Sequence, residues 1–357
     1  MEAALELTRA ILDKRLYGQR DTLVLPILYT ARHSVELTLK LVIDRLHEFG
    51  MFPSARPNDH DIEGHYASLV ARPIGDEAMR ELLASLKPYV DSLAAIDGDG
   101  QMLRYPETQS GEKSMADRPL ANIKRIQSGL DGMKAILDRM VVRIDEIRDE
   151  RITGTYTQDL SRRDLAEIAR SLPPRAQWKD EAFTVAKDGI KKRYGIGSNK
   201  FAEALNLIEN HREFGAIIGI ERVPLHLDAK ALKLALEQWK LVHPPRENDG
   251  LGLDYFDTNR FDDMIASMKV AASVNTTLLA KLSIEQLSEL QALFYLGTNN
   301  ERSEHYERYL EHAAVAFRQN AKQSLDHIIN KTNFQVSLVE GLRKIGCVEL
   351  AEMAAKS

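Results

Sequence analysis

Arginine, glutamate and lysine recur at four-residue intervals in the first part of the sequence, at Arg32, Glu36 and Lys40. Residues four apart lie on one face of an α-helix, so these three form a charged stripe. His33 is rotated from Arg32 by about 100 degrees around the helix axis. The rest of the helix is apolar, and charges buried on such a helix need partners. Two interpretations remain open: an ion-pair network that fixes helix register, or a polar pocket that binds phosphate or the RNA backbone.

Three residues from later loops would complete such a pocket: His60, Arg104 and Tyr105. An arginine can contact phosphate through two hydrogen bonds, and a tyrosine can stack on a base. The Arg104–Tyr105 pair, held extended by the following proline, is equally open to a structural role. If the pocket is catalytic, a histidine is the general acid or base and an arginine stabilises the charged phosphorane. The catalytic candidates are then His33 or His60 with Arg32 or Arg104, and the binding candidates are Lys40 and Tyr105.

A second basic segment surrounds the sequence GIKKRYGIGSNK (189–200). Its glycines precede a predicted helix over 199–209, which Ser198 or Asn199 would cap. The N-terminus of a helix favours anions, so this segment is a candidate anion site. Two helices joined by a short glycine-containing turn are also typical of a helix-turn-helix, with 199–209 as the recognition helix. A solvated basic loop is the third interpretation. The candidate phosphate-binding or nucleic-acid-binding residues here are Lys191, Lys192, Arg193 and Lys200, and Lys187 adds to the cluster.

Metal and cofactor chemistry has little support in the sequence. His60 and His65 are five residues apart, not the four that place two ligands on one helix face, and there is no H-E-x-x-H motif. The single cysteine, Cys347, excludes an internal disulfide framework and any cysteine-rich zinc site, and we expect it to be packed. No metal and no cofactor is therefore expected.

Composition bounds the class of protein. Lys plus Arg is 48 and Asp plus Glu is 53, so the formal net charge is −5. This slight acidity argues against nucleic-acid binding by the whole surface but leaves room for a local basic patch. The N-terminus does not have the pattern of a secretory signal, and no run approaches the roughly 18 apolar residues of a membrane span. We expect a cytoplasmic protein without membrane contact.

Helical periodicity dominates the 357 residues, and period-2 alternation is almost absent, so the predicted fold class is all-α. The length suggests two domains, and a short polar segment over 152–159 separates them. We place a helical bundle at 1–151 and a second helical domain at 160–357. The main predicted helices are 21–49, 61–70, 76–93, 120–151, 161–172, 179–193, 199–209, 211–219, 228–241, 259–280, 283–296 and 301–345.

Three segments of the first domain carry recognisable motifs: LYTARHSVELTLKLVIDRL (28–46), HDIEGHYASL (60–69) and DGDGQMLRYPE (97–107). With them the domain resembles the HEPN superfamily of compact helical bundles, which are common in prokaryotic defence and toxin systems. The three segments match a helix of the form R-x-x-x-E-x-x-x-K, an H-D element after a loop, and an R-Y-P-like step. The ribonucleases of that superfamily use arginine and histidine spaced R-x4-6-H. This sequence has no such spacing, since Arg56–His60, Arg222–His226 and Arg308–His312 have three residues between them.

The resemblance implies a defence-type protein that acts as an RNA-binding or nucleotide-binding component, or as a protein-interaction component. The missing motif leaves enzymatic activity open. One alternative is a metal-independent endoribonuclease, whose cleavage would survive EDTA. A second alternative is a helix-turn-helix DNA-binding regulator. The expected partners are RNA or a nucleotide and, through the long amphipathic segment at 301–345, a partner protein or a second copy of the chain.

Overall fold

The computed structural model describes residues 1–53, 56–72, 74–98, 100, 102–104, 122–244 and 260–357. Within these ranges the chain forms fifteen α-helices and no strand, which confirms the all-α prediction. The chain divides into two compact units, Met1–Leu165 and Ala166–Ser357. Among the described residues, no helix combines the length and the apolar character needed to cross a membrane.

The first unit is a helical bundle built around two long helices. α2 (Arg20–Glu48) and α5 (Ile123–Ile152) have 29 and 30 residues, and each is therefore about 45 Å long at about 1.5 Å per residue. An apolar stripe of α5 that includes Leu130, Leu137 and Ile144 is buried and packs into one core with the other helices. The helices of this unit are α1 (Glu2–Asp13), α2 (Arg20–Glu48), α3 (Ile62–Val70), α4 (Glu77–Ala94), α5 (Ile123–Ile152) and the start of α6 (Arg162–Ser171).

The start of α2 differs from the sequence prediction. The helix begins at Arg20, and Gln19 occupies the N-cap position without a side-chain hydrogen bond. Pro26 lies inside the helix, where its missing N–H removes one hydrogen bond of the helical ladder. A short 3-10 helix, Tyr17–Gln19, directly precedes α2.

A buried arginine holds the segment that follows α5 to the first unit, which ends at Leu165. Arg143 is buried on α5 and donates to Asp76 at 2.6 Å and to Glu150 at 2.7 Å. It also contacts the Ser161 hydroxyl at 3.4 Å, and the Asp164 carboxylate accepts from the backbone N–H groups of residues 77 and 161. Burial, with the nearby Asp76 carboxylate, raises the pKa of Asp164 to about 7. The polar segment after α5 is thus fastened to the first unit.

The second unit is arranged around α12 (Ile284–Thr298). Contacts with α13 (Tyr306–Ile329) and α14 (Phe334–Lys344) bury most of the length of α12. At the crossing with α14 the two backbones meet at glycines: a Cβ on Gly297 would lie 2.0 Å from the Ser337 carbonyl oxygen, and one on Gly341 would lie 2.2 Å from the Leu293 carbonyl oxygen. The helices of this unit are the rest of α6, α7 (Glu181–Tyr194), α8 (Ser198–Asn210), α9 (Arg212–Ile217), α10 (Ala229–Val242), α11 (Arg260–Lys281), α12 (Ile284–Thr298), α13 (Tyr306–Ile329), α14 (Phe334–Lys344) and α15 (Val348–Lys356).

The prediction of one long helix over 301–345 is wrong. The segment forms a 3-10 turn, then α13, then a loop and α14. Within α13 the helical geometry is broken at Asn320, with φ −154° and ψ 87°. The Asn320 side chain accepts a hydrogen bond from the Gln323 N–H at 3.0 Å, as an N-cap does. The apolar period runs on across this break, and that is why periodicity alone does not find it.

A buried glutamate on α12 fixes the segment that leads into α10. Glu289 is fully buried, and its carboxylate accepts from the N–H groups of Leu225, His226 and Leu227 at 2.8, 2.7 and 2.6 Å. The hydroxyl of Tyr306 donates to the same carboxylate. Three consecutive N–H groups and one hydroxyl satisfy the buried charge.

We expect Glu289→Ala to lower the free energy of unfolding by about 3 kcal/mol, because several buried donors lose their acceptor. Glu289→Gln should cost less, since the amide keeps one acceptor oxygen. Urea unfolding followed by circular dichroism measures both effects. Glu285→Gln, at an exposed position one turn earlier, is the control and should change the stability little. A Glu289→Ala protein as stable as this control would contradict the role assigned to Glu289.

Candidate functional site

Arg32 is the centre of the charged stripe on α2, and it is almost sealed from solvent, with 2% of its surface exposed. Its Nε donates to the carbonyl oxygen of Asp97 at 2.6 Å, and Nη1 donates to the Glu36 carboxylate at 3.0 Å. Nη2 donates to the carbonyl oxygens of His60 and Gly98. One guanidinium therefore joins α2, the loop before α3 and the turn after α4.

Glu36 connects this arginine to two further predicted residues. Its carboxylate accepts from Lys40 Nζ at 2.6 Å and is 2.8 Å from His60 Nδ1. Burial alone would raise the pKa of Glu36, but the hydrogen bonds and positive charges of Lys40 and His60 outweigh burial and lower that pKa to about 2. Glu36 is thus a carboxylate that holds a cationic cluster together.

The turn that follows α4 is shaped to receive the guanidinium of Arg32. The buried Asp97 carboxylate accepts from the N–H groups of Met102 and Leu103, both at 3.1 Å, and closes the turn. Gly100 has φ +80°, and a Cβ there would lie 3.0 Å from Arg32 Nη1. The glycine provides both the left-handed backbone and the space for the arginine.

These contacts favour the ion-pair network over an open pocket for the core of the stripe. The guanidinium of Arg32 is bound to protein acceptors and sealed from solvent, so it is not available to stabilise a phosphorane. Lys40 is committed to Glu36. His60 is different, because its side chain is 54% exposed and only Nδ1 is bonded to Glu36. His60 is therefore the member of this cluster that could reach a ligand.

Two other candidates of the first unit, His33 and Arg104, belong to a separate surface group around Tyr29 of α2. His33 is exposed and stacks on Tyr29, with ring centroids 6.0 Å apart and planes 4° from parallel. The guanidinium carbon of Arg104, also exposed, lies 5.7 Å from the Tyr29 ring centroid. Tyr105 lies outside the described residues. Sequence reasoning missed Tyr29, although its spacing of four residues from His33 was a usable signal.

The basic segment of the second unit forms two helices joined by a tight turn. α7 ends at Tyr194 and α8 begins at Ser198, so the turn is only residues 195–197. Gly195 has φ 66° and ψ 31°, a left-handed conformation that glycine adopts without strain. Gly197 is the N-cap of α8, and the caps predicted at Ser198 or Asn199 are wrong because both residues lie inside the helix or at its first position.

The buried side chains of this pair follow the turn closely. They are Ile190 and Tyr194 before Gly195, and Ile196, Phe201 and Ala204 after it. Phe183 of α7 contacts Phe201 of α8, with ring centroids 6.3 Å apart, so aromatic side chains join the two helices. The face of α8 opposite Phe201 and Ala204 is exposed. It carries polar side chains at Asn199, Lys200, Glu203 and Asn206.

The predicted basic residues line the same two helices. Lys192, Arg193 and Lys200 are exposed, and Lys191 Nζ donates to the hydroxyl of Ser198 at 3.1 Å across the turn. Lys187 is half-buried one turn earlier on α7. These basic residues lie on the regular helices that flank the turn, and not in a loop.

The described residues contain no group of three or more histidine, cysteine, aspartate or glutamate side chains that could hold a metal ion. His65 is buried, and its Nε2 lies 3.3 Å from the Asp59 carboxylate. Cys347 is buried, as expected, and burial raises the pKa of its thiol to about 12. A thiol of that pKa is not a nucleophile at neutral pH.

The depressed pKa of Glu36 makes the stability of the first unit depend on pH. Its folded pKa of about 2 lies below the ordinary 4.5, so its contribution is complete above pH 4.5 and is lost as pH falls toward 2. We expect the difference in free energy of unfolding between the wild type and Glu36→Gln to be largest near neutral pH and to shrink over that window. Urea unfolding at several pH values measures it.

Glu48→Gln is the matched control, because Glu48 is an exposed glutamate on the same helix. Its effect on the free energy of unfolding should stay small throughout. A Glu36→Gln difference that did not change between pH 6 and pH 3 would contradict the network.

Comparison with known proteins adds no identification: no family model, no curated protein and no solved structure matches this chain. The resemblance to the HEPN superfamily therefore stays a prediction that rests on the motifs at 28–46, 60–69 and 97–107.

Proposed function

We propose that the protein is a DNA-binding regulator that reads DNA with the helix-turn-helix formed by α7 and α8. The observation that carries the proposal is the three-residue turn with left-handed Gly195, which is flanked by buried apolar residues and joins two helices that meet through Phe183 and Phe201. In this motif the second helix lies in the major groove and its N-terminal residues contact base edges. α8 is the second helix here, and its N-terminal turns are exposed and polar.

The side chains on the exposed face of α8 suit the recognition of bases. Asparagine can bond to the N6 and N7 atoms of adenine, and lysine can donate to O6 and N7 of guanine. Asn199, Lys200 and Asn206 supply these groups within two turns. Glu203, on the same face, can accept from the amino group of cytosine.

Local charge supports the same proposal despite the acidic whole chain. Residues 187–200 contain four lysines, one arginine and one aspartate, which is a net charge of 5 − 1 = +4 against −5 for the whole sequence. Basic residues on α7 would contact phosphates and fix the orientation of the motif, whereas α8 would read the sequence. The field of this patch would also steer the protein toward DNA.

We expect Lys191→Ala/Lys192→Ala to weaken binding to all duplex DNA sequences about equally, because these residues would contact phosphates. The slope of log affinity against log salt should fall by about 2, since each phosphate contact contributes about 0.9. Asn199→Ala should instead reduce discrimination against the wrong base by about 1–3 kcal/mol and leave the salt slope unchanged. Selection of a preferred duplex, followed by fluorescence anisotropy at several salt concentrations, measures all of these effects.

Lys322→Ala/Lys356→Ala is the matched control, because it removes the same charge from exposed or half-buried positions on α13 and α15. It should change neither the affinity nor the salt slope. An equal loss in this control and in the Lys191→Ala/Lys192→Ala protein would mean that net charge, and not the motif, drives binding.

A second candidate function is RNA or nucleotide binding by the first unit, in a HEPN-type, defence-related role. The observation that favours it is the group of half-buried Tyr29 with exposed His33 and Arg104, which combines aromatic rings with a guanidinium. Such groups stack on unpaired bases and contact phosphate. The sealed Arg32 argues for binding without cleavage over the ribonuclease alternative, in which His60 would act as the acid or base.

We expect Arg104→Ala to weaken the binding of single-stranded RNA several-fold with unchanged stability, because Arg104 is exposed. Arg32→Lys should lower the free energy of unfolding, because lysine cannot reproduce hydrogen bonds to three chain segments. RNA anisotropy and urea unfolding separate the two effects. RNA cleavage that survives EDTA and disappears in His60→Ala would instead support the ribonuclease alternative.

A further inference from the structure

A cleft of about 640 Å³ lies in the second unit where α10 and α12 begin and α11 ends. This volume falls within the range of about 300–1,000 Å³ that is usual for small-molecule sites. Its charged wall includes Lys230, Lys233 and Lys281, and its apolar floor includes Leu234 and Leu282. The cleft therefore combines positive charge with an apolar surface.

Some charged side chains of the cleft already have a partner in the protein, and others do not. Lys233 faces Glu237 at 3.9 Å, one turn further along α10. The Asp228 carboxylate caps α10 by accepting from the Ala231 N–H at 2.7 Å. Lys230 and Lys281 make no hydrogen bond or ion pair with any residue of the described ranges. Two lysines from different helices thus remain available, while both acidic groups of the wall already have partners.

The helix ends beside the cleft already have partners. The Asp228 carboxylate caps α10, and Ser283 and Gln286 form a capping box at the start of α12. The positive charge that a ligand would meet in the cleft therefore comes from its lysines.

Glu289 holds the two sides of this cleft in place. Its carboxylate binds the N–H groups of residues 225–227, immediately before Asp228, and it lies one turn after Gln286, which also lines the cleft. The wall formed by α10 is therefore tied to the wall formed by α12 before any ligand arrives. Such preorganisation lowers the entropic cost of binding.

From this arrangement we infer that the cleft binds a small organic phosphate of nucleotide size. Lysines bind phosphate as point charges, which suits Lys230 and Lys281. The apolar floor would contact the organic part of the ligand. This site is separate from the helix-turn-helix, so the inference goes beyond the proposed function and does not depend on it.

Titration calorimetry of the full chain with ATP, inorganic phosphate and citrate tests the inference. We expect ATP to bind more tightly than inorganic phosphate or citrate, because only ATP offers phosphates and a ring for the apolar floor. Lys230→Gln/Lys281→Gln should weaken ATP binding by about tenfold or more, which corresponds to about 1.4 kcal/mol. ATP should also raise the Tm of the wild type and not that of this variant.

Two control variants make the outcome specific. Lys269→Gln removes a lysine from α11 outside the cleft, and Lys191→Ala/Lys192→Ala removes charge from the helix-turn-helix; both should bind ATP like the wild type. The cleft variant should bind DNA normally, so failure of the cleft and failure of the motif are distinguishable. Absence of ATP binding, ATP binding that survives loss of Lys230 and Lys281, or equal affinity for citrate would each overturn the inference.

Discussion

A charge that leaves water must find opposite charge or hydrogen bonds, and this requirement organises both units of the protein. Arg32 joins three segments of the first unit through one guanidinium, and Arg143 fastens the segment after α5 to the same unit. In the second unit Glu289 has the same role with reversed sign, because it collects three backbone donors and a hydroxyl. Irregular segments are thus held by single buried side chains, while apolar packing holds the helices.

This arrangement separates structural residues from residues that are free to act. The side chains with the most suggestive chemistry in the first unit, Arg32 and Glu36, are committed to holding the fold. Groups that remain accessible lie at the margins of the network: His60 on one side and the Tyr29–His33–Arg104 group on another. In the second unit the accessible groups follow a regular motif, and this is why the helix-turn-helix carries the stronger proposal.

Much of the helical framework could be predicted from the sequence, because amphipathic periodicity records which face of each helix is buried. The helices α3, α4, α8 and α10 begin and end within a few residues of the predicted positions. The burial of Arg32 within the charged stripe could not be predicted. Most of its hydrogen bonds go to backbone carbonyl oxygens of loops that are distant in the sequence. The attachment of the polar segment after α5 could not be predicted for a related reason, because Arg143 contacts Ser161 and Asp76, which are far from it in the sequence. The break at Asn320 left a local signal, an asparagine followed three residues later by glutamine, which the uninterrupted apolar period concealed.

The glycine-to-glycine crossing of α12 and α14 limits how the second unit can evolve. Even a single methyl group at Gly297 or Gly341 would collide with a backbone carbonyl oxygen, so neither helix can slide or rotate past the other without separating. Because α12 also carries Glu289 and Gln286, its fixed orientation sets the direction in which both side chains leave the helix. Substitutions on the surfaces of α10 and α11 can therefore change the lining of the cleft while the frame beneath it stays the same.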